Sequence, residues 1–193
     1  MLWMRQKRNW NVEEEVSMGK TVLYLAMSVD GYIADEQGDV NWLGGDGSQP
    51  DAPGSYPAFY DTVDTIVMGW TTYHQIVTEL ALDNWPYKDH PCYVVTHRQE
   101  LDKDGIHFWN GELTALVDKL NEEREGVIWI CGGASIAGQL LKEGRIDRLW
   151  LSMIPTVLGK GVRLFPDMEQ EFPLKLVGTE QYNGIVDLIY EKR

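Results

Sequence analysis

The chain is short of positive charge, with 17 Lys and Arg against 30 Asp and Glu, a formal net charge of −13. This deficit argues against a surface built for nucleic acid or an anionic membrane, since both are met by massing Lys and Arg against phosphate. A small anionic ligand would need a local positive site. Cysteine is nearly absent. Cys92 and Cys131 sit inside apolar runs that read as strands, so buried free thiols are expected rather than a disulfide, which suits a cytoplasmic protein. Long hydrophobic runs are missing, which leaves no candidate membrane span. The four histidines, His74, His90, His97 and His107, lack the close spacing of a metal cluster, and no metal site is expected.

What is present suits one domain. The 193 residues are 44% hydrophobic, with eight Trp and nine Tyr, enough apolar surface for a single core. Residues 21–193 are expected to form it. The preceding segment, charged at Arg5, Lys7, Arg8 and Glu13 to Glu15, has no apolar stretch suited to a signal peptide. It reads as an extension ahead of a native start at Met18, because Glu14-Glu15-Val16 can be encoded by a purine-rich ribosome-binding sequence.

Runs rich in β-formers occur at Thr21 to Val29, Thr65 to Met68, Cys92 to Thr96, Ile106 to Trp109 and Val127 to Cys131. Helical periodicity separates them at Thr72 to Leu80, Glu112 to Arg124 and Ser135 to Lys142, with a short helix near Tyr56 to Val63. Such alternation predicts a largely parallel sheet covered by helices. After Arg145 the pattern becomes Arg148 to Leu158, Leu174 to Tyr182 and Ile185 to Glu191, strands with no helix between them. Asn183-Gly184 joins the last two as a hairpin. The prediction is an α/β fold with a mixed, mostly parallel sheet of about eight strands and an antiparallel C-terminal hairpin. The loop Asn41 to Ser55 is either a cover over a site or a plain surface excursion.

Two strand-to-helix junctions carry glycines. Ile130-Cys131-Gly132-Gly133-Ala134-Ser135 and Val67-Met68-Gly69-Trp70-Thr71-Thr72 each suit a phosphate approaching helix-start N–H groups, or else a tight turn alone. Neither is the G-x-G-x-x-G fingerprint. A hydrolase elbow at Ser135 is excluded because every histidine precedes it, whereas that fold needs one later. Ser28 and Asp30 lie on one alternating face at the end of the first strand. Asp30 could hold or protonate a substrate there, or accept backbone N–H bonds in the turn at Gly31.

Four ordered motifs, Ser28 to Ala34, Ile66 to Tyr73, Cys131 to Ala134 and Pro155 to Phe165, resemble the C-terminal reductase domain of bifunctional riboflavin-biosynthesis proteins and its stand-alone dihydrofolate-reductase-like relatives. The resemblance implies a three-layer dihydrofolate-reductase-like fold, NADPH as cofactor with NADH as the alternative, hydride transfer to a small pterin- or flavin-precursor-like or carbonyl substrate, and a homodimer. By matching position, Gly69, Thr71, Thr72, Gly132, Gly133, Ala134, Ser135 and Ile136 would meet the pyrophosphate, and Thr96, His97 and Arg98 the adenosine ribose and its phosphate. Ala26, Ser28, Asp30, Trp42 and Ser152 would surround the nicotinamide and substrate, with Asp30 and Ser28 catalytic. Two departures stand out. Trp70 occupies a position where relatives carry Arg, leaving Arg98 to read a 2′-phosphate. Ser55 and Tyr56 stand where dihydrofolate reductases place a pterin-binding acid, which argues against folate. No deaminase domain with zinc ligands accompanies the reductase pattern. The alternative is a non-catalytic nucleotide-binding dimer on the same fold.

Overall fold

The computed structural model describes residues 20–193 except 167 and 169; the expected extension and the Met18 start lie outside the described residues. Eight strands form one sheet in the order β5-β4-β3-β6-β1-β7-β10-β9. They are β1 (Thr21–Ser28), β3 (Val63–Gly69), β4 (Cys92–Val95), β5 (Ile106–Trp109), β6 (Val127–Gly132), β7 (Arg148–Ile154), β9 (Leu174–Tyr182) and β10 (Ile185–Lys192). Pairing is parallel from β5 to β7 and antiparallel at β7–β10 and β10–β9. The turn at Asn183 (φ 46°) and Gly184 (φ 74°) supplies the two positive φ values that a tight hairpin requires.

Strand alternation divides the core in two. Leu23 of β1, Ile128 and Ile130 of β6, and Leu149 and Leu151 of β7 pack beneath α3 (Leu113–Glu123) and α4 (Ala134–Lys142). The intervening Val22, Tyr24, Trp129 and Trp150 face the other way, against α1 (Tyr56–Tyr60) and α2 (Trp70–Gln75). α3 holds its place because Leu113, Leu116, Val117 and Leu120 line one buried stripe. The result is three layers with helices on both faces.

Several boundaries differ from the sequence expectation. β7 stops at Ile154 rather than Leu158, because Pro155 cannot donate to the ladder. The helix expected from Thr72 begins at Trp70 and finishes as a π-helical turn over Ile76–Leu80. The short helix ends at Tyr60, and Val63 already belongs to β3. A small second sheet, β2 (Tyr32–Ala34) against β8 (Val162–Arg163), was not expected. Both cysteines are free. Burial pushes each thiol up to about 12, so neither is a thiolate at neutral pH. Among the described residues no helix is long and apolar enough to cross a membrane.

Candidate active site

The carboxyl ends of β1, β3, β4 and β6 open into a cavity of about 1280 Å³, the edge where open α/β sheets take ligands. β3 and β6 are neighbours, so the helices that follow them start side by side. A Cβ added at Gly133 would lie 3.5 Å from Thr72 Oγ1, and one at Gly132 would lie 3.8 Å from it. Gly69 likewise faces Ile136, whose Cγ1 would be 3.2 Å from an added Cβ. Gly69 and Gly133 are the N-caps of α2 and α4, and neither supplies a side-chain cap. First-turn amides of both helices are therefore left without a side-chain cap beside the cavity. Two such starts in contact offer amide dipoles and open space of the kind that suits an anion.

The two glycines of the β6–α4 junction are not equivalent. Gly132 has φ 129°, a conformation that side-chain-bearing residues rarely adopt. Gly133 has φ −91° and is tolerant of a side chain as far as its backbone is concerned. The peptide between them is cis.

At one end of the cavity Thr96 is buried, and its Oγ1 accepts the Arg98 amide at 3.1 Å. The Arg98 guanidinium lies 4.6 Å above the Trp70 ring. Trp70 thus holds the guanidinium that was expected to stand in for the Arg missing at its own position. Arg98 is the one Lys or Arg among the described residues lining the cavity.

The opposite end is aromatic. Tyr24, Tyr56, Tyr87 and Trp129 line it with Cys131, and Tyr24 stacks on Phe59 at 4.3 Å. The Trp129 indole donates to the Tyr24 carbonyl at 2.8 Å, and Tyr24 Oη shares a 3.1 Å bond with Ser55 Oγ. Burial pushes the Tyr24 and Tyr87 phenols well above their ordinary range and Tyr56 up to about 12. All three remain protonated donors near neutral pH. Sequence reading did not assign Tyr24, Tyr87 or Trp129 to a site; Tyr24 and Trp129 sit in strand runs, where aromatic residues look like core, and here they serve as core and wall at once.

The structure gathers Ala26, Gly69, Thr71, Thr72, Thr96, His97, Arg98, Gly132, Gly133, Ala134, Ser135 and Ile136 around this cavity. Ser28, Asp30, Trp42 and Ser152 are not on its wall. Asp30 accepts from Ser28 Oγ at 2.7 Å and from the amides of Leu158 and Gly159 at 3.1 and 2.7 Å, while Ser28 Oγ also accepts the Tyr32 amide at 3.0 Å. Their polar atoms tie the β1–β2 turn to the loop after β7. Trp42 folds back on its own loop, its indole donating to Asp39 O at 3.2 Å.

This assignment has a measurable consequence. The Ser28 hydroxyl first, then the Leu158 and Gly159 amides, hold the Asp30 carboxyl down at about 2, against 3.8 ordinarily. A depressed folded pKa contributes stability above the unfolded value, and that contribution is lost as pH falls from near 4 through 2. Asp30→Asn should melt lower at pH 7, converge on wild type only below about pH 2, and bind nicotinamide cofactor unchanged. Equal melting temperatures at pH 7 with lost turnover would favour the catalytic reading.

Comparison with known proteins agrees with this geometry. The family model of the RibD C-terminal domain matches residues 20–186. Uncharacterized protein YwjB of Bacillus subtilis (strain 168) is 38% identical over 172 residues, spanning 89% of this chain and 97% of that protein. YyaP of the same strain is 29% identical over 182 residues, spanning 89% and 94%. A crystal structure from Shewanella sp. PV-4, of a protein named for riboflavin biosynthesis, is 28% identical with a TM-score of 0.77, covering 90% of this chain and 99% of that one. Dihydrofolate reductase from Enterococcus faecalis, complexed with NADP(H), is 18% identical with a TM-score of 0.66, covering 91% and 98%. That last likeness is one of fold: the three-layer dihydrofolate-reductase-like architecture is present.

Proposed function

Since this chain belongs to the RibD C-terminal domain family, we propose that it is an NADPH-dependent reductase of a small planar substrate, its cofactor laid across the ends of β3 and β6 and its substrate against the aromatic wall. The observation that carries this reading is the contact between two helix starts without side-chain caps, lipped by glycines. A diphosphate fits there because no Cβ occupies the approach and amide dipoles favour negative charge. When bound, the reduced nicotinamide supplies the hydride. The protein's own residues orient and exclude water. Trp70 holds Arg98 where a 2′-phosphate can be paired in an otherwise acidic molecule. Tyr24, Tyr56, Tyr87 and Trp129 present flat faces and protonated hydroxyls to a ring.

The test is fluorescence titration with NADPH and NADH, followed by cofactor-oxidation assays over a panel of pterins, flavins and ribitylamino-pyrimidines. NADPH should bind more tightly than NADH. Arg98→Ala should narrow that preference by roughly tenfold, equivalent to about 1.4 kcal/mol. An unchanged preference would show that Arg98 does not read the 2′-phosphate. Tight cofactor binding with no turnover across the panel would favour the non-catalytic nucleotide-binding dimer.

A further inference from the structure

Charge is distributed unevenly around the cavity. Among the described residues on its wall, those that can carry charge at neutral pH are His97, Arg98 and Glu112. All three follow β4 or β5, at one edge of the sheet. Tyr24 lies on β1, three strand spacings away in the order β4-β3-β6-β1. With neighbouring strands about 4.8 Å apart, about 14 Å separates the charged end from the aromatic one. Trp129 on β6 holds Tyr56 and Tyr87 beside Tyr24, at ring distances of 5.9 and 5.3 Å.

The aromatic end is neutral, and several of its polar atoms already have protein partners. Tyr24 Oη is bonded to Ser55, the Trp129 indole to the Tyr24 carbonyl, and Tyr87 Oη shares a 3.8 Å hydrogen bond with Cys131 Sγ. Burial keeps the two phenols and the thiol protonated. A ligand there meets ring faces.

Leu43, Leu80 and Val162 also line the cavity, and all three are exposed, which gives it an apolar rim. Leu43 belongs to the loop expected either to cover a site or to wander. Leu80 closes the π-helical turn, at the opposite end of that helical segment from Trp70. The cations near Val162 are engaged elsewhere: Lys160 lies 3.6 Å from Glu36, and the Arg163 guanidinium lies 4.6 Å above the Tyr32 ring.

We propose that the substrate is an uncharged planar ring bearing neither phosphate nor carboxylate, and that the site rejects phosphorylated forms of the same ring. The inference rests on the proposed seating of cofactor at the Arg98 end and substrate on the aromatic wall, and it names the substrate class. A buried anion needs a cation or several donors to pair it, and the guanidinium on this wall is assigned to the cofactor. An anionic tail leaving the site would cross an apolar rim on a molecule of net charge −13, which repels it further.

Two pairs of probes carry the test: riboflavin against riboflavin 5′-phosphate, and quinoxaline against quinoxaline-2-carboxylate. Each pair is one ring with and without an anionic group. They are titrated calorimetrically into protein saturated with NADP+, which fills the Arg98 end and has no hydride to give. In at least one pair the neutral ring should bind, roughly tenfold or more tighter than its anionic form. Leu43→Lys and Leu80→Lys, both at exposed positions, should fold normally. At least one of them should narrow that ratio to about threefold, since one exposed cation beside an anion is worth a modest factor in water. A wild type that binds the anionic member as tightly, or binds neither neutral ring, overturns the proposal. A ratio unmoved in both lysine variants overturns it too, because the discrimination would then arise away from this wall. If NADP+ does not bind, the titrations are repeated in Arg98→Ala; a neutral preference kept there means that the cofactor reading fails and this inference stands. If NADP+ binds and the preference is absent, the reverse holds.

Discussion

Gly133→Asp should fold normally and lose its cofactor. The backbone at Gly133 has φ −91°, and a Cβ there meets only Thr72 Oγ1 at an ordinary 3.5 Å, so the substitution brings no backbone strain. Asp is moreover a favoured N-cap, and Gly133 is the N-cap of α4. Its carboxylate would take up the helix-start amides that the diphosphate is proposed to use, and would repel the diphosphate as well. Each helix-terminus charge interaction is worth about 0.3 to 1 kcal/mol. Displacement, repulsion and lost space act together, so the expected loss of NADPH affinity is on the order of 100-fold or more, about 2.7 kcal/mol. Circular dichroism, thermal melting and nicotinamide fluorescence on one sample read the outcome. A folded variant with wild-type affinity would remove the cofactor from this junction. Gly132 provides the contrast, because at φ 129° even alanine should lower the melting temperature.

Trp129→Ala should produce the largest loss of stability. Trp129 is 4% exposed, meets Tyr24, Tyr56, Phe59, Tyr60 and Tyr87 edge-on at ring distances of 5.3 to 6.3 Å, and donates to the Tyr24 carbonyl. Truncating a buried Trp typically costs about 3 to 5 kcal/mol through lost transfer energy and the cavity left behind. Chemical denaturation should show a shift of that size. The same ring walls the aromatic end of the cavity, where substrate is proposed to sit, so substrate binding should fall further than cofactor binding. A loss below about 1 kcal/mol would mean the aromatic cluster collapses to fill the gap.

The positions of the two glycine junctions were legible in the chain because a strand run followed by Gly and a helical period states a local geometry. The distance between them was not. It depends on β3 and β6 becoming neighbours although Gly69 and Gly132 are far apart in sequence. Asp30 shows the same limit: its alternation with Ser28 is local, but its backbone donors come from Leu158 and Gly159, on a loop that only the sheet order brings across.

Composition and periodicity by themselves determined an acidic α/β domain with a mostly parallel sheet and a C-terminal hairpin, since burial alternates locally with period two or 3.6. They also located the glycine junctions, whereas Arg98 was singled out only by the family resemblance. Tertiary structure alone decided that Trp70 carries Arg98 and that Tyr24, Tyr87 and Trp129 become a wall. Such facts are pairings between distant strands and loops, and sheet register fixes which side chains share a face.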